Sequence, residues 1–339
     1  MGSIPESGGH FSRRRMIQAA AALLSPAGIR ALAQSGAYAP SRPVRLIVPQ
    51  PPGGAADRLA RTLAQQLEVR WKQSVITENK PGGGVVVGTL ATAHSAPDGY
   101  TLALLGSSLS INAVQRQDLP YDTLKDLTPL ARVGYYTVAL VATTAFPAND
   151  IKGLIALAKA QPGTLSYGSN GIGTSAHLAG EMLNYMGGIQ LQHVPYNGAA
   201  KMYTDMLGGR IPLGFSVATS AEGFIQAGQL KVLGVTSLQR STLYPSWPAI
   251  AETLPGYDAV NWAGFLAPGG LSADLVKSIS DDILAVLHTP QMAKSIADMG
   301  IELAPLGAAD FEAFIRDEIS RFAKATKPLG NRMHQAGRS

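Results

Sequence analysis

The sequence predicts an α/β protein of two lobes with a ligand cleft between them. Three observations carry this expectation. Short apolar strand-like runs alternate with amphipathic helix-like segments, the pattern of parallel sheets with helices on both faces. The alternation restarts near Val138, so the chain falls into two similar halves, and helical segments return towards its end. Loops rich in Gly, Ser, Thr and Asn stand where strands end, the place at which such sheets bind ligands.

In chain order, residues 1–33 read as a twin-arginine-type export signal. Ser12-Arg13-Arg14-Arg15-Met16-Ile17-Gln18 is basic, Ala19–Leu24 begins a weakly apolar stretch, and Ala31-Leu32-Ala33 offers a cleavage site. The stretch is too short to span a membrane, and Pro26 and Arg30 interrupt it. Val44–Val48 is the first strand and Ala55–Glu68 the first helix, with Leu59, Ala60, Leu63 and Leu67 on one face. Val75–Glu78 is a strand, Pro81–Gly84 a Gly-rich turn, the segment through Ala93 a helix, and Thr101–Leu105 a strand.

In the second half Ala139–Ala142 is a strand. Asp150 then caps a helix that turns Ile151, Leu154, Ile155 and Ala158 inward, and Pro162-Gly163 ends it. Leu165–Gly168, Leu191–Pro195, Ile211–Phe215 and Val232–Thr236 read as strands, with a helix from Ser175 to Met186 among them. Ser272–Leu287 and Asp310–Ala325 are helices, the second burying Phe311, Phe314, Ile315 and Phe322.

Composition narrows the function classes. Hydrophobic residues are 46% and charged residues 15% of 339, which supplies a large core and argues against disorder. Removing residues 1–33 takes away four arginines and one glutamate, so the formal net charge falls from +5 to +2. The basicity belongs mostly to the signal, and no nucleic-acid partner is expected. Cysteine is absent, which excludes disulfides, thiolate metal sites and cysteine nucleophiles.

Pro51–Asp57, Leu105–Asn112 and Gly168–His177 are Gly- and hydroxyl-rich loops at strand ends, and Val194–Ala200 is a fourth. Backbone N–H groups at a helix start lack intrahelical partners and suit anions. None of these loops carries Lys after its last Gly, so none is a P-loop. Gly168-Ser169-Asn170-Gly171-Ile172-Gly173 is G-x-x-G-x-G, and no acid follows at the end of the next strand to take a ribose hydroxyl, so no dinucleotide is expected. The six histidines form no metal-ligand pair. A small carboxylate fits best: Ser107, Ser108, Ser169, Thr174 and Ser175 offer hydroxyls in both halves. Helix capping explains any one of them equally well. Asp57 in a first helical turn also suits the helix dipole, and Trp262 reads equally as cleft wall or core.

"VRLIVPQPPGGAADRLAR", "ENKPGGGVVVGT", "APDGYTLALLGSS", "LPYDTLKDLTPLARV", "LSYGSNGIGTSAHLAGEM" and "HVPYNGAAKMYTDMLGGRI" follow one another in an order that resembles the Bug (TctC-type) solute-binding proteins of tripartite tricarboxylate transporters. The resemblance runs from about residue 38 to about residue 327. It implies a type II periplasmic-binding-protein fold and a periplasmic monomer, its signal cut near Ala33. Such a protein would capture a small organic carboxylate and deliver it to membrane permease subunits, without catalysis, cofactor or metal. It places lobe one at 38–137 plus 264–339 and lobe two at 138–263. It implies ligand contacts from Gly53, Gly54, Ala55, Ala56 and Asp57, from Ser107 and Ser108, from Ser169, Asn170, Gly173, Thr174, Ser175 and His177, and from Tyr196, Asn197 and Ser216. Ala56 and Ser216 stand where the family usually has more polar or acidic residues, which favours a less polar carboxylate. Two alternatives stand beside it: an exported serine hydrolase using Ser216 or Ser175 with His177, and an orphan ligand-sensing receptor.

Overall fold

The computed structural model describes residues 1–2, 38–196 and 198–326. The export-signal reading falls almost wholly on residues 3–33 and so lies outside the described residues, as does Asn197.

The compact unit that begins at Pro40 is built on two sheets. The first contains β1 (Val44–Val48), β2 (Val75–Asn79), β3 (Thr101–Gly106), β4 (Leu127–Tyr136), β10 (Asn261–Pro268) and β11 (Ile301–Leu306) in the order β2-β1-β3-β10-β4-β11. The second contains β5 (Val138–Thr143), β6 (Ser166–Ser169), β7 (Gln192–Pro195), β8 (Leu213–Val217) and β9 (Leu230–Val235) in the order β7-β6-β8-β5-β9. Both sheets follow one rule. β1 is parallel to β2 and β3, and β6 is parallel to β7 and β8. In each, the strand arriving from the other lobe is antiparallel to both its neighbours, and β11, at the edge of the first sheet, is antiparallel to β4 as well. β10 inserts between β3 and β4, and β5 inserts between β8 and β9. This is the two-lobed α/β fold that the alternation predicts.

Only Thr137 separates β4 from β5, so one nearly continuous extended run crosses between the lobes. The return begins at Asn261, the first residue of β10, which pairs with Tyr136 across the ladder.

The helices form where the apolar periodicity and the caps place them. α1 (Ala55–Trp71) fully buries Leu59, Ala60, Leu63 and Leu67, the face read from the sequence. α2 (Val86–Ala93) and α3 (Ser108–Gln115) follow in lobe one. In lobe two, α4 (Ile151–Ala160) starts at Asp150, whose carboxylate accepts from the Gly153 N–H at 2.7 Å. α5 (Ser175–Gly187) ends at Gly188 in the left-handed conformation. α6 (Ala199–Leu207) and α7 (Ala218–Gln226) complete that lobe. α8 (Ala273–Leu287), α9 (Pro290–Asp298) and α10 (Ala308–Thr326) return to the first sheet. One strand is displaced: β8 lies two residues later than Ile211–Phe215 because Pro212 has no N–H for the ladder. That shift carries Ser216 and Val217 to the strand's carboxyl end. Among the described residues no helix is long and apolar enough to cross a membrane.

Candidate ligand-binding cleft

A cavity of about 680 Å³ opens at the carboxyl ends of the strands, where the two sheets face each other. Its floor is the pair of crossings. Tyr136 and Val138 stand two residues apart on either side of Thr137, Val217 pairs with Val138, and Asn261 pairs with Tyr136. Its walls are the loops that follow β1, β3 and β6.

The loop after β1 brings Pro49 to Pro52 and then Gly54, Ala55 and Ala56 to the cavity. No side chain caps α1, so its first N–H groups remain available to a bound group. Gly53 turns the loop with φ +83°, a conformation that disfavours any other residue, and it stands back from the cavity. Asp57 also stands behind the wall. It is 3% exposed, and it accepts from the Gly53 N–H (2.9 Å), the Arg61 Nε–H (3.0 Å) and Asn79 Nδ2 (2.9 Å). Asn79 Nδ2 also donates to the Gln50 carbonyl at 3.1 Å. Asp57 therefore pins the loop and does not line the cavity.

These bonds, the Arg61 side chain above all, hold the Asp57 carboxyl down at about 2, below its ordinary 3.8. A depressed acid stabilises the fold above its unfolded value, and that contribution disappears as pH falls through the folded value. Asp57→Asn should therefore cost about 1–2 kcal/mol at neutral pH, discounted for the half-exposed Arg61, and only a small fraction of that at pH 2. Denaturant unfolding at both pH values checks this. An equal cost at both would mean the carboxylate's charge plays no part.

The loop after β3 contributes Gly106 and Ser108. Ser107 is fully buried behind it. Its hydroxyl donates to the Val260 carbonyl (3.0 Å) and accepts from the Trp262 N–H (3.1 Å), which ties the start of α3 to the start of β10. Trp262 meets both readings at once: it lines the cavity, and its fully buried indole packs edge-on to Phe311 at 5.2 Å.

The loop after β6 presents Asn170, Thr174, Ser175 and Ala176. Thr174 caps α5, accepting from the His177 N–H at 3.3 Å and donating to the Gly171 carbonyl at 2.7 Å. Ser169, Gly173, His177 and Tyr196 do not reach the cavity wall. The Ser169 hydroxyl bonds His193 Nε2 at 2.7 Å, and His177 Nδ1 accepts from the Gly173 N–H at 3.4 Å. The two imidazoles stack at 4.2 Å, and burial holds His177 at about 4 and His193 at about 3, so both are neutral at pH 7. The Tyr196 hydroxyl donates to Asp205 at 3.0 Å. These side chains build the loop; they do not offer donors to the cleft.

Ser216 does line the cavity, but its hydroxyl is 2.6 Å from that of Tyr203 and donates to the Val217 carbonyl. His177 is engaged with Gly173 and His193, and among the described residues no hydrogen bond joins it to Ser216 or Ser175.

Sequence reasoning missed Tyr136, Asn261 and Val85. Val85 stands in the left-handed region at φ +76°, which is strained for a β-branched residue. The Gly-rich turn before it is clamped by Asn112 Nδ2 donating to the Gly84 carbonyl (2.7 Å) and by Arg116 donating to that of Gly83 (3.1 Å). No periodicity marks such residues. Among the described lining residues none is charged, so an anion here must be held by N–H groups, hydroxyls and amides.

An uncharged cleft floored by two crossing strands between α/β lobes defines a solute-binding protein of the periplasmic type. The family described as the tripartite tricarboxylate transporter family receptor (TctC) matches residues 59–330, and the chain belongs to it. The chain is 33% identical over 322 residues to protein BugT of Bordetella pertussis, covering 94% of this chain and 98% of that protein. Two solved structures share 29% identity, each covering 86% of this chain and 98% of the other: R. palustris Rpa4515 with adipate (TM-score 0.78) and the periplasmic binding protein BugD (TM-score 0.75).

Proposed function

We propose that this chain is exported to the periplasm and binds a small organic carboxylate in the interlobe cleft for delivery to membrane permease subunits, without catalysis. The observation that carries this is the convergence of three helix starts on one uncharged cavity. α1 and α6 are preceded by Gly54 and Gly198, which line the cavity and put no side chain over the N–H groups, and α5 opens with Thr174 and Ser175. A carboxylate spreads one charge over two oxygens, and such donors satisfy it without a cation.

In this reading Gly54, Ala55, Ala56, Ser108, Asn170, Thr174, Ser175 and Ser216 form the ligand's surroundings. Gly53, Asp57, Ser107, Ser169, Gly173, His177 and Tyr196 hold the loops in place. The lobes move about the crossings at Thr137 and Asn261, and a single chain suffices. Export uses the twin-arginine segment, cut near Ala33. The apolar wall of Leu104, Leu105, Val138 and Val217 suits a carbon chain, and relatives that bind such acids support the reading: Rpa4515 was solved with adipate.

A thermal-shift screen tests it. Organic acids should raise the melting temperature, and nucleotides should leave it unmoved; a ligand at 100 times its Kd adds roughly 2.7 kcal/mol. Among the described residues the Ser175 hydroxyl makes no hydrogen bond, so Ser175→Ala should weaken binding by about 1–3 kcal/mol with little change in the unliganded stability. Tight binding of a nucleotide, with none for any carboxylate, would overturn the proposal.

A further inference from the structure

α1 and α6 start at the same cavity from opposite lobes, with Gly54 and Gly198 in its wall. Each helix then carries an exposed cation close to its positive end. Arg58 is the fourth residue of α1, and Lys201 is the third of α6. A cation at a helix start opposes the helix dipole and costs stability unless a partner offsets it.

No partner offsets either charge. Among the described residues neither side chain makes a hydrogen bond or an ion pair, and the acids beside them are already engaged. Asp57 is held by Gly53, Arg61 and Asn79. Asp205 feels the Lys201 charge, but it is bonded by Arg210 at 2.6 Å and by the Tyr196 hydroxyl at 3.0 Å. Nearby cations are paired as well: Arg61 with Asp57 at 3.0 Å, and Arg210 with Asp205. Arg58 and Lys201 are therefore placed against their helices with no gain to the fold.

Both stand about one turn back from a wall that has no charge of its own. The Arg58 field still reaches the cleft floor. Burial raises the Tyr136 hydroxyl, and the Arg58 charge pulls it back. Exposed charges in this position act on an anion before it docks, over a range of about 10 Å at 0.1 M salt. The uncharged wall takes over once the anion has arrived.

We propose that Arg58 and Lys201, one from each lobe, form an electrostatic rim that draws the carboxylate into the cleft and sets how fast it is captured. The inference rests on the carboxylate reading of the cleft and concerns the step before binding.

Stopped-flow mixing of the full mature chain with adipate, malate and hexanoate, followed by tryptophan fluorescence, tests it. Rates are taken from about 10 mM to about 1 M salt, over which the Debye length falls from ~30 Å to ~3 Å, with calorimetric Kd values across the same range. At low salt the double variant Arg58→Gln, Lys201→Gln should associate about tenfold more slowly and each single variant about threefold, with dissociation unchanged. The salt profile of the double variant should be flatter, and the loss should be larger for the dianions than for hexanoate. Lys294→Gln removes the same charge from α9, which adds no residue to the cavity wall, and should behave as wild type. The double variant should melt at the wild-type temperature or above it, because each change removes a cation from a helix start. Faster dissociation with unchanged association, an equal slowing in Lys294→Gln, or wild-type association and Kd that ignore salt would overturn the inference and leave the carboxylate reading standing. Failure of every acid to bind wild type would overturn both.

Discussion

Glu318→Gln should stabilise the chain at about pH 8 and leave its stability at pH 4.5 unchanged. Glu318 projects from α10 and is fully buried. Its Oε2 accepts from the Trp262 indole N–H at 2.6 Å, while Oε1 has no partner among the described residues. The Ser110 hydroxyl lies beside it without reaching hydrogen-bonding geometry. Arg321 is spent on Asp258 (3.0 Å) and Asp317 (2.8 Å), and the Asp258 charge adds repulsion. Desolvation is the largest cause, and it raises the Glu318 carboxyl from 4.5 to about 7.

The sign follows from linkage. Between pH 4.5 and about 7 the folded chain keeps a proton that the unfolded chain has lost, so stability falls as pH rises through that window. The fall amounts to at most about 3 kcal/mol. Glutamine keeps the acceptor for Trp262, turns its amide towards Ser110, and cannot ionise. The variant should therefore show a flatter profile across the window and gain about 2–3 kcal/mol at the alkaline end. Denaturant midpoints in steps of pH measure this, and a parallel profile for both proteins would refute it.

How far the residues could be read in advance follows from local physics. α1 was legible because Leu59, Ala60, Leu63 and Leu67 repeat at helical spacing, and α4 because Asp150 and Pro162-Gly163 bracket it. α7 was not. Its sequence ATSAEGFIQ holds Thr, Ser and Gly, poor helix formers, and it is helical because Ala218 and Ala221 pack on the sheet. β11 was hidden by Pro305 and by the irregular register between Leu303 and Leu306. In the cleft, glycines and helix caps pointed to loops that line the cavity but could not say which side chains turn inward. Asp57 follows a glycine pair as a ligand contact would, yet Arg61 and Asn79 claim it. The boundary expected at 137/138 puts Tyr136 beside the crossing, but nothing in the sequence says that it lines the cavity, because that is set by how two sheets meet.

Gly134→Ala should be the most damaging single methyl among the described glycines. β4 and β11 approach so closely at this point that an added Cβ would lie 2.0 Å from the Glu302 carbonyl oxygen and 3.0 Å from the Ala304 nitrogen, both backbone atoms. No rotamer change relieves that contact, so β11 must move. The movement would not stay local. The Glu302 carboxylate accepts from Thr137 Oγ1 (3.2 Å) and from Thr242 N (3.1 Å) and Oγ1 (2.8 Å), which ties β11 to the lobe crossing. The expected loss is about 3 kcal/mol or more, roughly 6 °C in melting temperature for a chain of this size. Gly223→Ala serves as the control. Gly223 lies inside α7, nothing stands within 4 Å of the Cβ it would gain, and alanine there should stabilise by about 0.5–1 kcal/mol. A scanning calorimetry pair with the two variants in the reverse order would show that β4 and β11 do not meet as closely as the register places them.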